Sequence, residues 1–470
     1  MTVTTTKPKI DRATQWVTDI TFVLDEVGRF LGKTPRDYED KWDCWADLPH
    51  PVHRGSRIIC GRLARRRLWK VAEDYLAPHR MAGRVELASV VENLGYQVST
   101  RFLKNGNIVD KAAVQAALAA AVKRSTSECV NITHFIPCTV VSDENPRIFS
   151  IGPVTFRRRA DFLEQQAPAF EHYIESFIEV RPTASADEAK DEGRSFVADT
   201  TAYFDHFGWV AEITIENCTP KISKDLARQS LQAALDVLRL MLGEEYADHL
   251  TMEGPPLGVV KTAELSMVDN KIDISLGRSW PGRTLGADWW PKIVERFTEE
   301  RLAGAGRAIE MLTKLERDKP LCQRLLDAIT WFGQAVTEQQ PAAKVVKFVN
   351  GIERITQCGK SDKVTETVCE RAAALAFDYH SGDREHWLAR MKDLYDVRSR
   401  LVHGSMSPFD VEAVSATREA EQLATWILCR AIDFFIDLGL EDSSWSPDRL
   451  DQQYQLLTAW AANAPTMPSS

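Results

Sequence analysis

The sequence has no apolar run long enough to cross a bilayer. Its longest nearly apolar stretch, Ala112 to Val122, is broken by Gln115 and falls well short of the roughly 20 residues a spanning helix needs. It has no Cys-x-x-Cys pair. Nine cysteines stand singly, at Cys44, Cys60, Cys129, Cys138, Cys218, Cys322, Cys358, Cys369 and Cys429, and their odd number and scatter argue against a disulfide framework. No charged-then-apolar signal segment opens the chain, so the expectation is a cytoplasmic protein without a membrane role. Excess positive charge is missing too: the formal net charge of −9 argues against a general nucleic-acid coat. Internal repeats are absent, and the one biased tract is the Ala-rich 112–121.

What is present is an ordinary globular composition, 44% hydrophobic and 27% charged over 470 residues. That excludes wholesale disorder and allows two or three domains. The charge is unevenly spread. Residues 51–80 carry Arg54, Arg57, Arg62, Arg65, Arg66, Arg67, Lys70 and Arg80 against Glu73 and Asp74, whereas residues 405–470 hold three basic and ten acidic residues. A polyanion would meet the basic segment first. Arg62, Arg65 and Arg66 fall within about one helical turn and can form one positive strip, a candidate hold on RNA phosphates. The plainer alternative is a solvated helix face with Leu63, Leu68 and Val71 turned inward.

Periodicity gives a mostly helical α+β protein. Helical pattern over 10–32, 60–77, 84–95 and 110–124 makes residues 1–125 a mainly helical region. The period then changes. Asn131 to Val141, Ile148 to Arg158 and the alternating Trp209 to Cys218 read as strands, and Lys261 to Val268 with Lys271 to Leu276 as a hairpin turning at Asp269-Asn270. Between them a helix is expected, with Ser223 as N-cap, a stripe of Leu231, Leu235, Leu238 and Leu242, and Gly243 beyond its end. Arg181 to Arg194 has no large apolar residue and reads as a mobile loop. Residues 126–285 are thus an α+β domain. From Asp288 on, the pattern is helical at 288–316, 319–336, 341–358, 362–379, 383–403, 411–438 and 446–461, a helical bundle over 286–462, with 463–470 a disordered tail.

Several motifs fail on inspection. Gly304-Ala305-Gly306 lies in helical pattern without the third glycine of a phosphate loop. Pro281 stands where the second glycine of a nucleophile elbow would follow Gly277-Arg278-Ser279. Cys129, His134 and Cys138 match no zinc spacing, so no metal is assigned. His380, Asp383 and His386 flank a turn and read as surface. Asn131-Ile132-Thr133 is a glycosylation sequon without meaning in an unsecreted chain.

One segment stands apart, Asp393-Leu-Tyr-Asp-Val-Arg398-Ser399-Arg-Leu-Val-His403-Gly404. Met391, Leu394, Leu401 and Val402 supply an apolar face, which needs neither Arg398 nor His403, and Gly404 can end the helix. On spacing alone, a surface arginine and a capping histidine would explain it. However, LYDVRSRLVHG resembles the signature of HEPN domains, in particular the Apea-like family: Arg, a polar residue, three more residues, then His, at the end of a long helix. The upstream LCQRLLDAITWFGQAV (321–336), KFVNGIERI (347–355) and CERAAAL (369–375) resemble the same family. So do THFIPCTVV, FSIGPVTFRRR and ARQSLQAALDVLRLMLG, which extend the likeness over about 130–440. Residues 1–125 resemble nothing recognised.

The resemblance implies a metal-independent endoribonuclease without cofactors, acting in abortive infection against phage or as a toxin. Its substrate would be RNA, tRNA included. A phage-encoded trigger would be sensed by residues 1–285. His403 and Arg398 would be catalytic and Ser399 a donor beside the phosphate. Glu353 would orient Arg398, and Tyr395 would line the cleft. Five residues along a helix turn through about 500°, so Arg398 and His403 point roughly 140° apart. A homodimer that sets two motifs in one groove would answer that. Trp426, Ile427, Phe434, Phe435 and Ile436, spread over more than one side of helix 411–438, also favour pairing. The alternative is a non-catalytic module for nucleotide or RNA binding or for dimerisation.

Overall fold

The computed structural model describes residues 11–31, 46–53, 55–141, 145–181, 183–247, 249–252, 260–268, 271–279, 284–359, 363–377 and 384–463. The protein is mostly helical α+β. The chain divides into two compact units: residues 1–132 with 215–225, and residues 133–214 with 226–470. The α+β stretch expected to stand alone over 126–285 therefore falls largely in the same unit as the C-terminal helices.

The first unit holds α1 (Arg12–Phe30), β1 (Ala46–Pro49), β2 (Arg57–Cys60), α2 (Arg62–Leu76), α3 (Leu87–Val98, continued by a π-helical turn Ser99–Lys104) and α4 (Lys111–Ser125). α1 buries Trp16, Ile20, Val23 and Val27, a spacing of three and four that makes one apolar stripe. These join Leu68 and Val71 of α2, Val91 and Leu94 of α3 and Leu118 of α4 in one core. β1 and β2 pair antiparallel, Ala46 opposite Cys60.

Strand β3 (Val130–Cys138) opens a four-stranded sheet with β4 (Ile148–Ile151), β5 (Val154–Arg158) and β6 (Trp209–Cys218), in the order β3-β6-β5-β4. On β6, Ala211, Ile213 and Ile215 are buried and Thr214 and Glu216 exposed, the alternation expected of a one-sided strand. Between β5 and β6 run α5 (Arg159–Val180) and α6 (Ala186–Phe204). α6 corrects the reading of 181–194 as a loop. Ser185 and Glu188 form a reciprocal capping box, and Gly193 lies where an added Cβ would stand 3.2 Å from the Ile174 Cα of α5. Lys190–Glu175 at 2.7 Å and Arg181–Glu192 at 3.0 Å add exposed ion pairs between α6 and the end of α5. A cap and small residues set the first half of this helix, and Phe196 and Phe204 in its second half pack against Tyr173, Phe177 and Phe162 of α5.

α7 (Pro220–Leu242) begins three residues before the expected N-cap, with Pro220 at its first position. Proline suits that place because its missing N–H has no helical acceptor there. Ser223 lies buried inside the helix. α8 (Glu244–Ala247), β7 (Val260–Val268) and β8 (Lys271–Ser279) follow, the two strands paired antiparallel from Val260–Ser279 to Val268–Lys271; the turn expected at Asp269-Asn270 lies outside the described residues.

The C-terminal helices are α9 (Trp289–Phe297), α10 (Glu299–Lys314), α11 (Pro320–Val336), α12 (Pro341–Thr356), α13 (Val364–Ala376), α14 (Arg384–Val402), α15 (Val411–Asp437) and α16 (Pro447–Asn463). The single helix expected over 288–316 is two. Thr298 takes a positive φ of 78° and caps α10, its hydroxyl accepting from Arg301 N–H. The apolar residues of α15 are mostly spent within the unit: Ile427 and Phe435 are buried, and the Phe434 ring packs tilted on Tyr454 of α16 with centroids 5.2 Å apart. They supply less free surface for pairing than their number suggested. Of the tail, residues 464–470 lie outside the described residues.

Glycines set the closest approach in this unit. Gly152, at φ 55° in the β4–β5 turn, meets Gly306 of α10. A Cβ on Gly306 would stand 2.8 Å from the Gly152 Cα, and one on Gly304 2.7 Å from Ile436 Cδ1 of α15. Gly152→Ala should therefore pay twice, in backbone conformation and in a clash with main chain. The expected loss is on the order of 2–4 kcal/mol, seen as a lower thermal midpoint. Gly28→Ala in α1, with nothing near an added Cβ, should raise the midpoint slightly, by about 0.5–1 kcal/mol of helix propensity.

Candidate active site

The buried face of α14 is Trp387, Leu388, Met391, Leu394, Tyr395 and Val397. Three residues beyond Tyr395, Arg398 lies on the same side of the helix, and both side chains turn toward α12. There the Glu353 carboxylate meets them together: Tyr395 Oη donates to Oε1 at 2.6 Å, and Arg398 Nη2 donates to Oε2 at 2.9 Å. Arg398 Nη2 also donates to Asn350 Oδ1 at 3.3 Å, one turn earlier on α12. The arginine Cζ stands 5.5 Å from the Tyr395 ring centroid. Both members of the ion pair are largely enclosed, with 19% of the Arg398 and 16% of the Glu353 side chain exposed. Arg398 Nε is buried and has no hydrogen-bond partner among the described residues, so the guanidinium keeps donor capacity beyond what α12 uses.

Burial, together with the hydrogen bond to Glu353 and its negative charge, pushes the Tyr395 hydroxyl up to about 12. Tyr395 is thus a buried hydrogen-bonding anchor at 5% exposure, not an open cleft wall.

α14 ends in a Schellman motif around Gly404 at φ 75°: Ser405 N–H reaches Arg400 C=O at 2.9 Å and Gly404 N–H reaches Leu401 C=O at 3.4 Å. Arg400 pairs with Asp396 at 2.7 Å and with both carboxylate oxygens of Glu412 at the start of α15, which ties the loop after the motif. His403 is the exposed residue before that glycine, its backbone N–H on Ser399 C=O at 3.0 Å. Ser399 is half-buried. Among the described residues no contact joins Arg398 to His403, so one chain unites Arg398, Glu353, Tyr395 and Asn350 and leaves His403 and Ser399 outside that network. Leu401 is half-buried and Val402 half exposed, so the apolar face of the helix ends at Val397.

Asn350 and Glu353 also form one wall of a cleft of about 350 Å³, with Arg324, Trp331 and Arg354 on the others. Arg324 donates to the Arg354 and Gln357 carbonyls at 2.5 and 2.6 Å, and Arg354 pairs with Asp327 at 2.6 Å. Asn350 escaped the sequence reading, although its place three residues before Glu353 sets it on the same face. Arg324 and Trp331 come from a different helix and carried no local signal.

In the first unit, Arg62 and Arg66 are exposed on α2, but Arg65 is not part of a free strip. It is half-buried, donates to the Asp47 carbonyl at 2.9 Å and lies 3.8 Å from Glu92. Leu63 is also misplaced by the sequence reading: it is 51% exposed, because the buried stripe is Ala64, Leu68, Val71 and Leu76 and Leu63 stands one position off it.

Among the described residues no group of three or more His, Cys, Asp or Glu is arranged to hold a metal ion, and no helix is long and apolar enough to cross a membrane. His380 and Asp383 lie outside the described residues; His386 is exposed. No family model, curated protein or solved structure matches the chain.

Glu353→Gln should lower the Tyr395 titration toward its ordinary range, leaving it above 10 because burial remains; ultraviolet difference titration against Tyr395→Phe reads this. The raised hydroxyl contributes stability that is complete below about pH 10 and lost as pH climbs through about 12. Glu353→Gln should therefore flatten the alkaline fall in stability, while costing on the order of 1–2 kcal/mol at pH 7 through the lost ion pair.

Proposed function

We propose that this protein is an endoribonuclease of the HEPN type, cleaving RNA without a metal in an anti-phage or toxin role. The observation that carries the reading is the Arg398–Glu353–Tyr395 network at the end of α14, where Glu353 also walls a cleft lined by Arg324 and Arg354. A carboxylate that holds an arginine in one orientation prepares it for a phosphate. His403, at the exposed end of the same helix, takes the 2′-hydroxyl proton. The 2′-oxygen then attacks phosphorus, the bond to the 5′-oxygen breaks, and that oxygen leaves with a proton taken from water. The products are a 2′,3′-cyclic phosphate and a 5′-hydroxyl, and DNA, lacking the 2′-hydroxyl, is spared. Arg398 balances the charge that grows on the non-bridging oxygens, and Ser399 donates beside them.

Because His403 stands apart from Arg398 within one chain, the reading includes a homodimer that brings two motifs to one groove. Val402, Phe409, Val411 and Val414 support it. These apolar side chains are 50–82% exposed and lie around the loop that follows the motif, a patch of the kind that marks an interface. Residues 286–462 form the catalytic bundle in this reading, and residues 1–285 restrain it until a phage product is sensed. The same separation of His403 from Arg398 favours a second reading, a non-catalytic RNA- or nucleotide-binding or dimerisation module.

A gel of total RNA incubated with purified protein and EDTA decides between them. Cleavage is expected, and His403→Ala should lower it by about 10²- to 10⁴-fold and Arg398→Ala by about 10²- to 10³-fold, with thermal midpoints near wild type. Wild-type cleavage by either variant, or 3′-hydroxyl ends, would refute the mechanism; RNA binding without cleavage would leave the second reading. In solution the mass should be twice the 53.0 kDa of one chain, and Phe409→Asp with Val411→Asp should give a monomer that no longer cuts at nanomolar concentration.

A further inference from the structure

A second pocket of this unit stands apart from the cleft beside Glu353. It measures about 690 Å³ and lies between the Leu240–Tyr246 turn, the Arg296–Arg301 stretch and helices α14 and α15. Its volume suits a drug-sized or nucleotide-sized ligand. Five arginines line it: Arg296, Arg301, Arg390, Arg418 and Arg430. Three of the five face carboxylates. Arg301 holds Asp433 with two bonds of 2.6 and 2.7 Å, and Arg430 lies 4.0 Å from that same carboxylate. Arg390 pairs with Glu419 at 2.6 Å. Arg296 donates to the Met241 carbonyl, and neither it nor Arg418 makes an ion pair among the described residues.

The second feature is aromatic. Trp387 of α14 and Trp426 of α15 stack with centroids 5.9 Å apart and planes 4° from parallel. Arg390 lies 4.9 Å from the Trp387 centroid and Arg430 5.0 Å from that of Trp426. Indole rings flanked by arginines make a polarisable surface of the kind on which nucleobases stack. Trp387 is buried at 8% exposure, and Trp426, 37% exposed, presents the accessible ring.

The pocket is held open by interactions of its own. Gly243 turns the chain at φ 84°, and Glu421 of α15 accepts the Glu244 backbone N–H at 2.6 Å. Lys344 of α12 pairs with the Glu244 side chain. Glu244, Glu245 and Glu421 also bring carboxylates to the lining, which disfavours a continuous phosphate backbone and favours a compact ligand with charge at one end.

We propose that this pocket binds a nucleoside polyphosphate, with its phosphates on Arg296 and Arg418 and its base against Trp426. The inference is independent of the ribonuclease reading, since none of these residues belongs to the Arg398–His403 motif and the readout is binding alone.

The test is titration of the full chain with ATP, inorganic tripolyphosphate, adenosine and a single-stranded oligoribonucleotide, followed by tryptophan fluorescence and calorimetry. ATP should bind and change the fluorescence, and tripolyphosphate should compete more weakly. Arg418→Glu, at an exposed position, should weaken ATP by about 10- to 100-fold, the effect of losing a charged hydrogen bond. Arg296→Gln, with a thermal melt beside each variant, should act in the same direction. Trp426→Leu should reduce the advantage of ATP over tripolyphosphate. Absence of ATP binding at millimolar concentration, or unchanged affinity in both arginine variants, overturns the proposal. Tripolyphosphate binding as tightly as ATP overturns the nucleoside assignment. So does an oligoribonucleotide that binds in an Arg418-dependent way when ATP does not.

Discussion

One carboxylate joins the two helices that matter most here. Glu353 spends one oxygen on the Tyr395 hydroxyl and the other on the Arg398 guanidinium. Neither partner could be so enclosed without it. A buried hydroxyl lacking an acceptor and a largely buried arginine lacking a counter-charge would each cost several times the worth of an exposed ion pair. The pair therefore fixes where α14 sits on α12 and which way its last turn points. The Schellman closure at Gly404 and the Arg400–Glu412 pair then set the direction in which the chain leaves. His403 sits between those two constraints, on the exposed side of a well-anchored helix end.

The wider packing rests on small residues. Gly304-Ala305-Gly306 resembles half of a phosphate loop, yet its glycines admit Ile436 and the Gly152 turn at close range. Gly333 of α11 does the same for Asp236 of α7, whose carboxyl is fully enclosed and shifted upward by that burial, with Arg239 beside it and Gln232 donating at 2.9 Å. Such contacts are dense because interiors are packed like crystals, so a single methyl has no free space to occupy. They also show why a glycine pattern in helical text reads better as packing than as ligand chemistry.

Two cationic regions in the second unit are built differently. The Glu353 cleft is small, and its Arg354 is matched by Asp327. The Arg–Trp pocket is larger, with Arg301, Arg390 and Arg430 facing Asp433 and Glu419 beside a stacked indole pair. Both use α14, which brings Trp387 and Arg390 to one and, through Tyr395 and Arg398 on Glu353, the wall of the other. Eight residues separate Arg390 from Arg398, about 12 Å along a helix.

The sequence by itself determined most of the helices. The C-terminal ones lie close to where their apolar spacing and flanking proline and glycine put them, because those signals act within a few residues. It also determined the alternation of β6 and the unusual character of the Arg398–His403 segment. Only the tertiary structure decided the rest. α6 begins in the stretch 181–194, which has no large apolar residue, and that part is helical through its cap and its fit against Ile174 and Phe177 of α5. Thr298 breaks a continuous helical pattern because the chain must turn between α9 and α10. Arg65 looked like one member of a charged strip until Asp47 and Glu92, distant in sequence, claimed it. Asn350, Arg324 and Trp331 joined the site for the same reason: a pairing across helices depends on which faces are buried together, and no single helix carries that information.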